Sequence, residues 1–366
     1  MGAVWELDGA VRAALGGGEA VAPVGPGQPL PPTDPGAGHV VLGTSGSTGR
    51  PKWVRLGAAA LSASVAATHA RLGGPGRWLL TLPAQHVAGM QVLVRAALTG
   101  TPPGVLDLRD GFDPARFAAA ARRLAAGGAG RCYTALVPTQ LTRLLDTDPE
   151  ILAHFDAVLL GGATAPETLL KRARASGTRV ITTYGMTETA GGCVYDGWPL
   201  DGVQVRLDSE GIIELAGPML ATGYLQAPEE TAAAFHDGWF RTSDLGQLDG
   251  QGRLRVLGRA DDVIITGGLN VAPAEVEAVL TGLPGVAAAC VVGLPDPEWG
   301  QRVTAVVIPT DPGRPPDPGA LRVAARRLLT GAQIPKEIIL FDALPLRGIG
   351  KPDRGAIRTI LAARDH

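Results

Sequence analysis

Between residues 39 and 183, short apolar runs alternate with alanine-rich segments of helical length, and no other feature narrows the possible folds so far. The runs 39–42, 78–82, 105–108, 157–160 and 180–183 have the length and apolar character of buried strands. Segments 58–72, 114–126 and 166–176 carry helical spacing, and Asp113 before Pro114 reads as a cap and first-turn proline. Strand and helix in turn call for an α/β domain with mainly parallel sheets and covering helices. Ahead of it, residues 3–16 also have helical spacing, and the proline-rich stretch 22–38 reads as a surface loop.

The texture changes near residue 203. Short strands at 203–207, 212–215 and 254–257 are separated by turns such as Asp249-Gly250-Gln251-Gly252, which predicts an antiparallel β subdomain. Beyond Gly258, a helix at 273–280, strands at 287–292 and 303–309 and a helix at 318–329 make a small α+β unit. The expected organisation is a large N-terminal domain, 1–258, and a small mobile C-terminal domain, 259–366.

Charge and cysteine usage exclude several functions. Thirty-three basic against 35 acidic residues leave no field for a polyanion, so no nucleic-acid partner is expected. Cys132, Cys193 and Cys290 lie too far apart for a zinc site or a disulfide framework. Glu6 and Asp8 stand where a signal peptide is basic, and no run of 18 apolar residues occurs. The expectation is a cytoplasmic protein with no stable membrane insertion.

The densest chemical signal is segment 43–52, GTSGSTGRPK, set between strand-like runs. Successive small residues let backbone N–H groups converge on one anion, hydroxyls add donors, and Lys52 adds a point charge. It is no Walker loop, because no Lys-Ser/Thr follows the second glycine and Pro51 blocks helix entry. An ordinary hairpin turn of about two to five residues is shorter than this stretch, which favours phosphate binding.

Other segments are weaker alone. Tyr184-Gly185-Met186-Thr187-Glu188-Thr189 follows the run 180–183, and ligands of α/β sheets sit beyond the carboxyl ends of strands. There a ring can cover a base, Thr187 can bond a phosphate, and Glu188 can hold Mg²⁺ beside phosphates. A Tyr-Gly turn with a helix-capping threonine fits the same residues. Gly161-Gly162-Ala163-Thr164 admits a planar ligand or is a plain strand-end turn. Asp244 suits two ribose hydroxyls or an Asx turn equally. Arg259, Asp261 and Asp262 fall where the two domains meet, and Gly267-Gly268 lets a thin ligand pass the backbone. Only four lysines occur, Lys52, Lys171, Lys336 and Lys351, and two of them sit in glycine loops. That hints at a required ammonium, although Lys351 alone also fits a solvated surface lysine.

In this order and spacing the segments resemble the adenylate-forming superfamily of acyl-CoA synthetases, carrier-protein adenylation domains and luciferases. The resemblance spans about residues 39 to 354 and is most specific in TSGSTGRPK and GRADDVIITGGLNVAPAEVE. It implies a two-step ligase. A carboxylate attacks the α-phosphate of ATP in the presence of Mg²⁺, and a thiol, usually that of CoA, then displaces AMP. It implies that Thr44, Ser45, Ser47, Thr48 and Lys52 hold the β- and γ-phosphates. Gly162, Ala163, Tyr184 and Gly185 would hold adenine, Thr187 the α-phosphate, Glu188 the Mg²⁺, and Asp244 and Arg259 the ribose. Lys351 would serve the first step only, Asp261 would be the hinge, and Gly267 with Gly268 would face the thiol tunnel. The chain departs from the family pattern at Arg347, Ile349 and Pro352, and most of one N-terminal subdomain is expected to be reduced or absent.

Among compact members, stretch 82–98, LPAQHVAGMQVLVRAAL, resembles those that activate o-succinylbenzoate in menaquinone biosynthesis. That acid carries two carboxylates, so one reacts and the other needs a partner. The resemblance implies that Arg95 pairs with it, that His86 lines the acyl pocket, and that Gly191, Gly192 and Cys193 leave room for the aromatic ring. A surface arginine and a structural histidine are the plainer readings of Arg95 and His86. Alternatives are another aryl- or acyl-CoA ligase, a carrier-protein adenylating enzyme, or a catalytically inactive nucleotide-binding protein. Self-association as a homo-oligomer across the shortened flank is a further expectation.

Overall fold

A computed structural model describes residues 2–25, 27–32, 36–45, 51–347 and 351–364; for residues 2, 3, 45, 51, 347 and 351 it describes the backbone alone. The chain begins with α1 (Gly2–Leu15), β1 (His39–Ser45), β2 (Pro51–Gly57), α2 (Ala58–Leu72), β3 (Gly76–Leu80), α3 (Val87–Thr99) and β4 (Gly104–Val105). It continues through α4 (Pro114–Ala126), β5 (Arg131–Leu136), α5 (Pro138–Thr147), β6 (Ala157–Leu160), α6 (Glu167–Ala175), β7 (Val180–Met186), β8 (Gly191–Tyr195) and β9 (Trp198–Pro199). Strands β3 to β9 form one sheet in the order β4-β3-β5-β6-β7-β8-β9, parallel from β4 to β7 and antiparallel beyond.

Alternation along these strands divides the core into two layers. Cys132 and Leu136 of β5, with Val158 and Leu160 of β6, face the layer that holds Phe117, Leu141, Leu144 and Ile151. Tyr133, Ala135, Ala157 and Leu159 face the other, with Leu72, Trp78, Val92 and Leu93. Phe117, Leu141, Leu144 and Ile151 are at most 1% exposed. Each contributes about 1.5–3 kcal/mol of burial. Helix α4 starts as its sequence requires, with the Asp113 side chain accepting from Arg116 N at 2.9 Å.

An antiparallel sheet follows, built from β10 (Gln204–Leu207), β11 (Ile212–Ala216), β13 (Phe235–His236), β14 (Trp239–Leu248) and β15 (Leu254–Arg259). Between β11 and β13 lie β12 (Gly223–Tyr224) and α7 (Pro228–Ala234), and β12 adds to β2.

The remaining chain folds on its own core. It comprises β16 (Ile264–Thr266), β17 (Leu269–Val271), α8 (Pro273–Thr281), β18 (Val286–Asp296), β19 (Gly300–Pro309), α9 (Pro318–Ala325), β20 (Glu337–Leu340), β21 (Leu346–Arg347), β22 (Lys351–Pro352) and α10 (Arg354–Ala362). Val276, Leu280, Leu321 and Ala325 cover one face of its sheet, and Ile357 and Leu361 the other. No buried apolar cluster among the described residues mixes side chains from before Leu254 with those from Ile264 onward. No described helix is long and apolar enough to cross a membrane.

Four expectations change. The sheet at 39–57 is antiparallel, with β1 paired to β2 from His39↔Gly57 to Ser45↔Pro51. The strands therefore run into the glycine-rich segment, and only residues 46–50 connect them. That is ordinary hairpin length, so the length argument for a phosphate loop does not hold and its composition carries the case. Strand β7 continues to Met186, because pairing with β8 keeps Tyr184 and Gly185 extended. The helix at 318 ends at Ala325.

Candidate active site

The parallel strands β6 and β7 end on one side of the sheet. There the residues expected to hold adenine come together. Gly161 follows β6 with Thr183 Oγ1 so near that an added Cβ would lie 2.5 Å from it, and Gly162 turns the chain at φ +82°. Tyr184 sits inside β7, and its hydroxyl donates to Asp244 Oδ2 at 2.8 Å. That bond ties the end of the parallel sheet to β14. Burial, reinforced by the Asp244 carboxylate, holds the Tyr184 phenol well above its ordinary pKa, so it stays a donor. At Gly185, any Cβ would overlap the carbonyl oxygen of Gly191, which explains glycine at the β7–β8 crossing. Arg259 lies opposite Asp244 in register, but its guanidinium pairs with Asp261 at 2.8 and 2.9 Å.

Thr187, Glu188 and Thr189 form a single 3₁₀ turn after β7. The Glu188 carboxylate accepts from the Tyr224 hydroxyl at 3.0 Å, and Lys52 Nζ stands 5.0 Å from the centre of the Tyr224 ring. The turn, β12 and β2 therefore meet around one carboxylate and one ammonium. Burial raises the Glu188 pKa, opposed by its backbone hydrogen bond, the Tyr224 hydroxyl and Lys52. No group of three or more His, Cys, Asp or Glu among the described residues could cage a metal. A lone carboxylate still fits Mg²⁺, which takes most of its ligands from phosphates and water. Thr44 Oγ1 donates to Lys52 O at 3.3 Å across the hairpin. Ser47 and Thr48 lie outside the described residues, as does the Ser45 side chain.

In the C-terminal unit, Asp261 falls in the 3₁₀ turn Ala260–Asp262 that follows β15. Gly267, at φ +57°, has Trp299 packed against it, so a Cβ there would stand 2.7 Å from the indole. Lys336 Nζ covers the same ring at 4.4 Å. Lys351 is described by its backbone alone, in the hairpin of β21 and β22 where it pairs with Arg347. Three residues on, Arg354 donates to Asp262 Oδ2 at 3.1 Å, to both Glu277 oxygens and to Val291 O at 3.1 Å. Tyr224 and Trp299 did not stand out in the sequence, since neither lies within one of the segments that carry the chemical signals, and Arg354 was passed over because Lys351 drew the reading of its segment.

The acid end differs from expectation. His86 is the residue before α3, and its carbonyl accepts from Met90 N at 2.9 Å. Arg95 is no surface arginine: it is 3% exposed, on the inner face of α3. Its guanidinium lies over Trp78 at 4.4 Å from the ring centre, and its Nε has no acceptor among the described residues. No described carboxylate pairs with it, and burial lowers its pKa from the ordinary guanidinium value, which starts high enough for the charge to be kept at neutral pH. Little open space remains beside the glycines expected to leave room for an aromatic ring. Gln91 covers Gly191, Tyr195 and Thr183 flank Gly192, and the cavity beside Gly192 and Cys193 measures only about 10 Å³. Side chains from α3, β7 and β8, whose approach local sequence does not reveal, pack against these glycines.

Comparison with known proteins bears on this arrangement. Residues 5–225 match the AMP-binding enzyme family and 275–351 the AMP-binding enzyme C-terminal domain. A probable 2-succinylbenzoate–CoA ligase of Mycobacterium tuberculosis is 48% identical, over 87% of this chain and 83% of that protein. A feruloyl-CoA synthase of Amycolatopsis is 35% identical, over 87% and 69%. Among solved structures, o-succinylbenzoate CoA synthetase of Bacillus subtilis in complex with its acyl-adenylate intermediate superposes with a TM-score of 0.77 at 30% identity, over 87% of this chain and 68% of that one.

Proposed function

The chain belongs to the AMP-binding enzyme family, and on that premise we propose that it activates o-succinylbenzoate with ATP and passes the acyl group to CoA. The product would be o-succinylbenzoyl-CoA, an intermediate of menaquinone biosynthesis. One observation within the chain carries the dicarboxylate reading: the buried Arg95 guanidinium has no carboxylate partner among the described residues. An unpaired buried cation is costly, and a second carboxylate on the substrate offsets that cost.

In the first step a carboxylate oxygen bonds to the α-phosphorus and pyrophosphate leaves. In the second, the CoA sulfur bonds to the acyl carbon and AMP leaves. Carboxylate and triphosphate repel each other, so the first step needs positive charge and N–H donors at the phosphates. Lys52, Thr44 and the hairpin backbone would supply them, with the hydroxyls of Ser45, Ser47 and Thr48. Glu188 would hold Mg²⁺, which neutralises phosphate charge. Tyr184, Gly162 and Ala163 would bound adenine, Thr187 the α-phosphate, and Asp244 with Arg259 the ribose. Lys351 would bridge carboxylate and α-phosphate. Rotation of residues 259–366 about Asp261 would then withdraw Lys351 and turn Gly267 toward the thiol.

The test is AMP release from a panel of acids with ATP and CoA. o-Succinylbenzoate should be the best substrate, and equal or faster turnover of benzoate or acetate would overturn the assignment. Arg95→Ala should raise KM for o-succinylbenzoate by the equivalent of about 1.5–3 kcal/mol, the worth of a hydrogen bond to a charged group.

A further inference from the structure

We infer that Trp78 is a specificity-determining residue: it positions the Arg95 guanidinium and stands in for its counter-ion until the second carboxylate arrives. The inference rests on Arg95 being the partner of that carboxylate.

Arg95 is enclosed by α2, α3, β3 and β8, where a cation needs compensation. Among the described residues, no charged or titratable neighbour provides it with a negative charge. His69 of α2 is kept neutral, its pKa lowered to about 4 by burial and by Arg95 itself. The Tyr195 hydroxyl of β8 is shared with Thr68 Oγ1 at 3.1 Å. What remains is the Trp78 indole face, 4.4 Å from the guanidinium carbon. Trp has the strongest ring quadrupole among side chains, and the interaction strengthens when desolvated.

The setting of Trp78 favours this role over plain packing. Its ring is fully buried, set by Tyr133 at 5.0 Å between ring centres and His69 at 6.4 Å. Its Nε1 has no acceptor among the described residues, although a buried indole N–H usually finds one. Arg95 Nε and His69 Nε2 also lack partners among those residues. Two unsatisfied nitrogens, Arg95 Nε and His69 Nε2, thus lie around one indole whose own N–H is unsatisfied and whose face is given to the cation. The enclosure is also joined to the expected acyl site: Gln91, one turn before Arg95, covers Gly191, and the Tyr195 ring flanks Gly192.

The test compares kcat/KM for o-succinylbenzoate with that for 4-phenyl-4-oxobutanoate, the same body with a single carboxylate. Trp78→Leu should lower this ratio about tenfold, through KM for the dicarboxylate, and leave KM for ATP unchanged. Trp78→Phe keeps a ring of weaker quadrupole and should lower the ratio about threefold, which decides the matter if the leucine variant fails to fold. An unchanged ratio in the folded variants, or equal losses for both acids, would reduce Trp78 to a packing residue. Arg95→Leu separates the two levels. A ratio that falls with Arg95→Leu and not with the Trp78 variants overturns the inference alone. A ratio indifferent to Arg95→Leu overturns the site reading beneath it.

Discussion

The Tyr224 hydroxyl donates to Glu188 at 3.0 Å across 36 residues of chain. This bond favours the ionised carboxylate, while burial disfavours it. Tyr224→Phe removes the donor, so the Glu188 pKa should rise further. Below that pKa the carboxyl is protonated and cannot hold Mg²⁺. The acid limb of AMP release at subsaturating Mg²⁺ should therefore move to higher pH in the variant. A pH–rate profile that coincides with wild type would show that Glu188 does not serve the metal.

His69 makes stability depend on pH. Its folded pKa of about 4 lies below its ordinary 6.5, so the unfolded chain binds the extra proton more readily. The stability this represents is present above pH 6.5 and declines as pH falls toward 4. Urea unfolding across that range should show a shallower decline for His69→Asn than for wild type, and parallel curves would contradict the assignment.

Arg354, the first residue of α10, joins that helix to the turn after β15, helix α8 and strand β18. Its side chain is 19% exposed, and those of Glu277 and Asp262 are 18% and 24%. Removing one partner of such a pair leaves poorly solvated charge behind. Arg354→Met should cost about 3 kcal/mol, visible as a lower denaturation midpoint. A change within measurement error would mean that solvent already screens the cluster.

Lys351→Ala should abolish adenylate formation and spare thioester formation from supplied acyl-adenylate, because only the first step needs its charge on the phosphate. Equal loss in both assays would refute a role confined to one step.

Much of the fold was legible because its signals are local. Helix α2 spans 58–72 as its spacing predicts, and Asp113 caps α4. The order of the chemical segments was legible for the same reason. Pairing was not: β1 and β2 carry strand-forming valines and Trp53, but their antiparallel partnership, from His39↔Gly57 to Ser45↔Pro51, is a contact between two segments that neither one specifies alone. Arg95 illustrates the same limit. Its helix has a long apolar run, and which side faces the core depends on α1 and α2 packing against it.

By itself, the sequence determined the alternation of strand and helix, the hairpin and turn chemistry, and the residues available for a phosphate, a metal and an acid. These depend on side-chain type and near-neighbour spacing, which the chain carries before it folds. Tertiary structure decided which of those groups touch. Tyr184 reaches Asp244, Tyr224 reaches Glu188, and Trp78 covers Arg95, through contacts between separate elements. Burial then set their charge states, because desolvation is a property of the packed surroundings and of no residue alone.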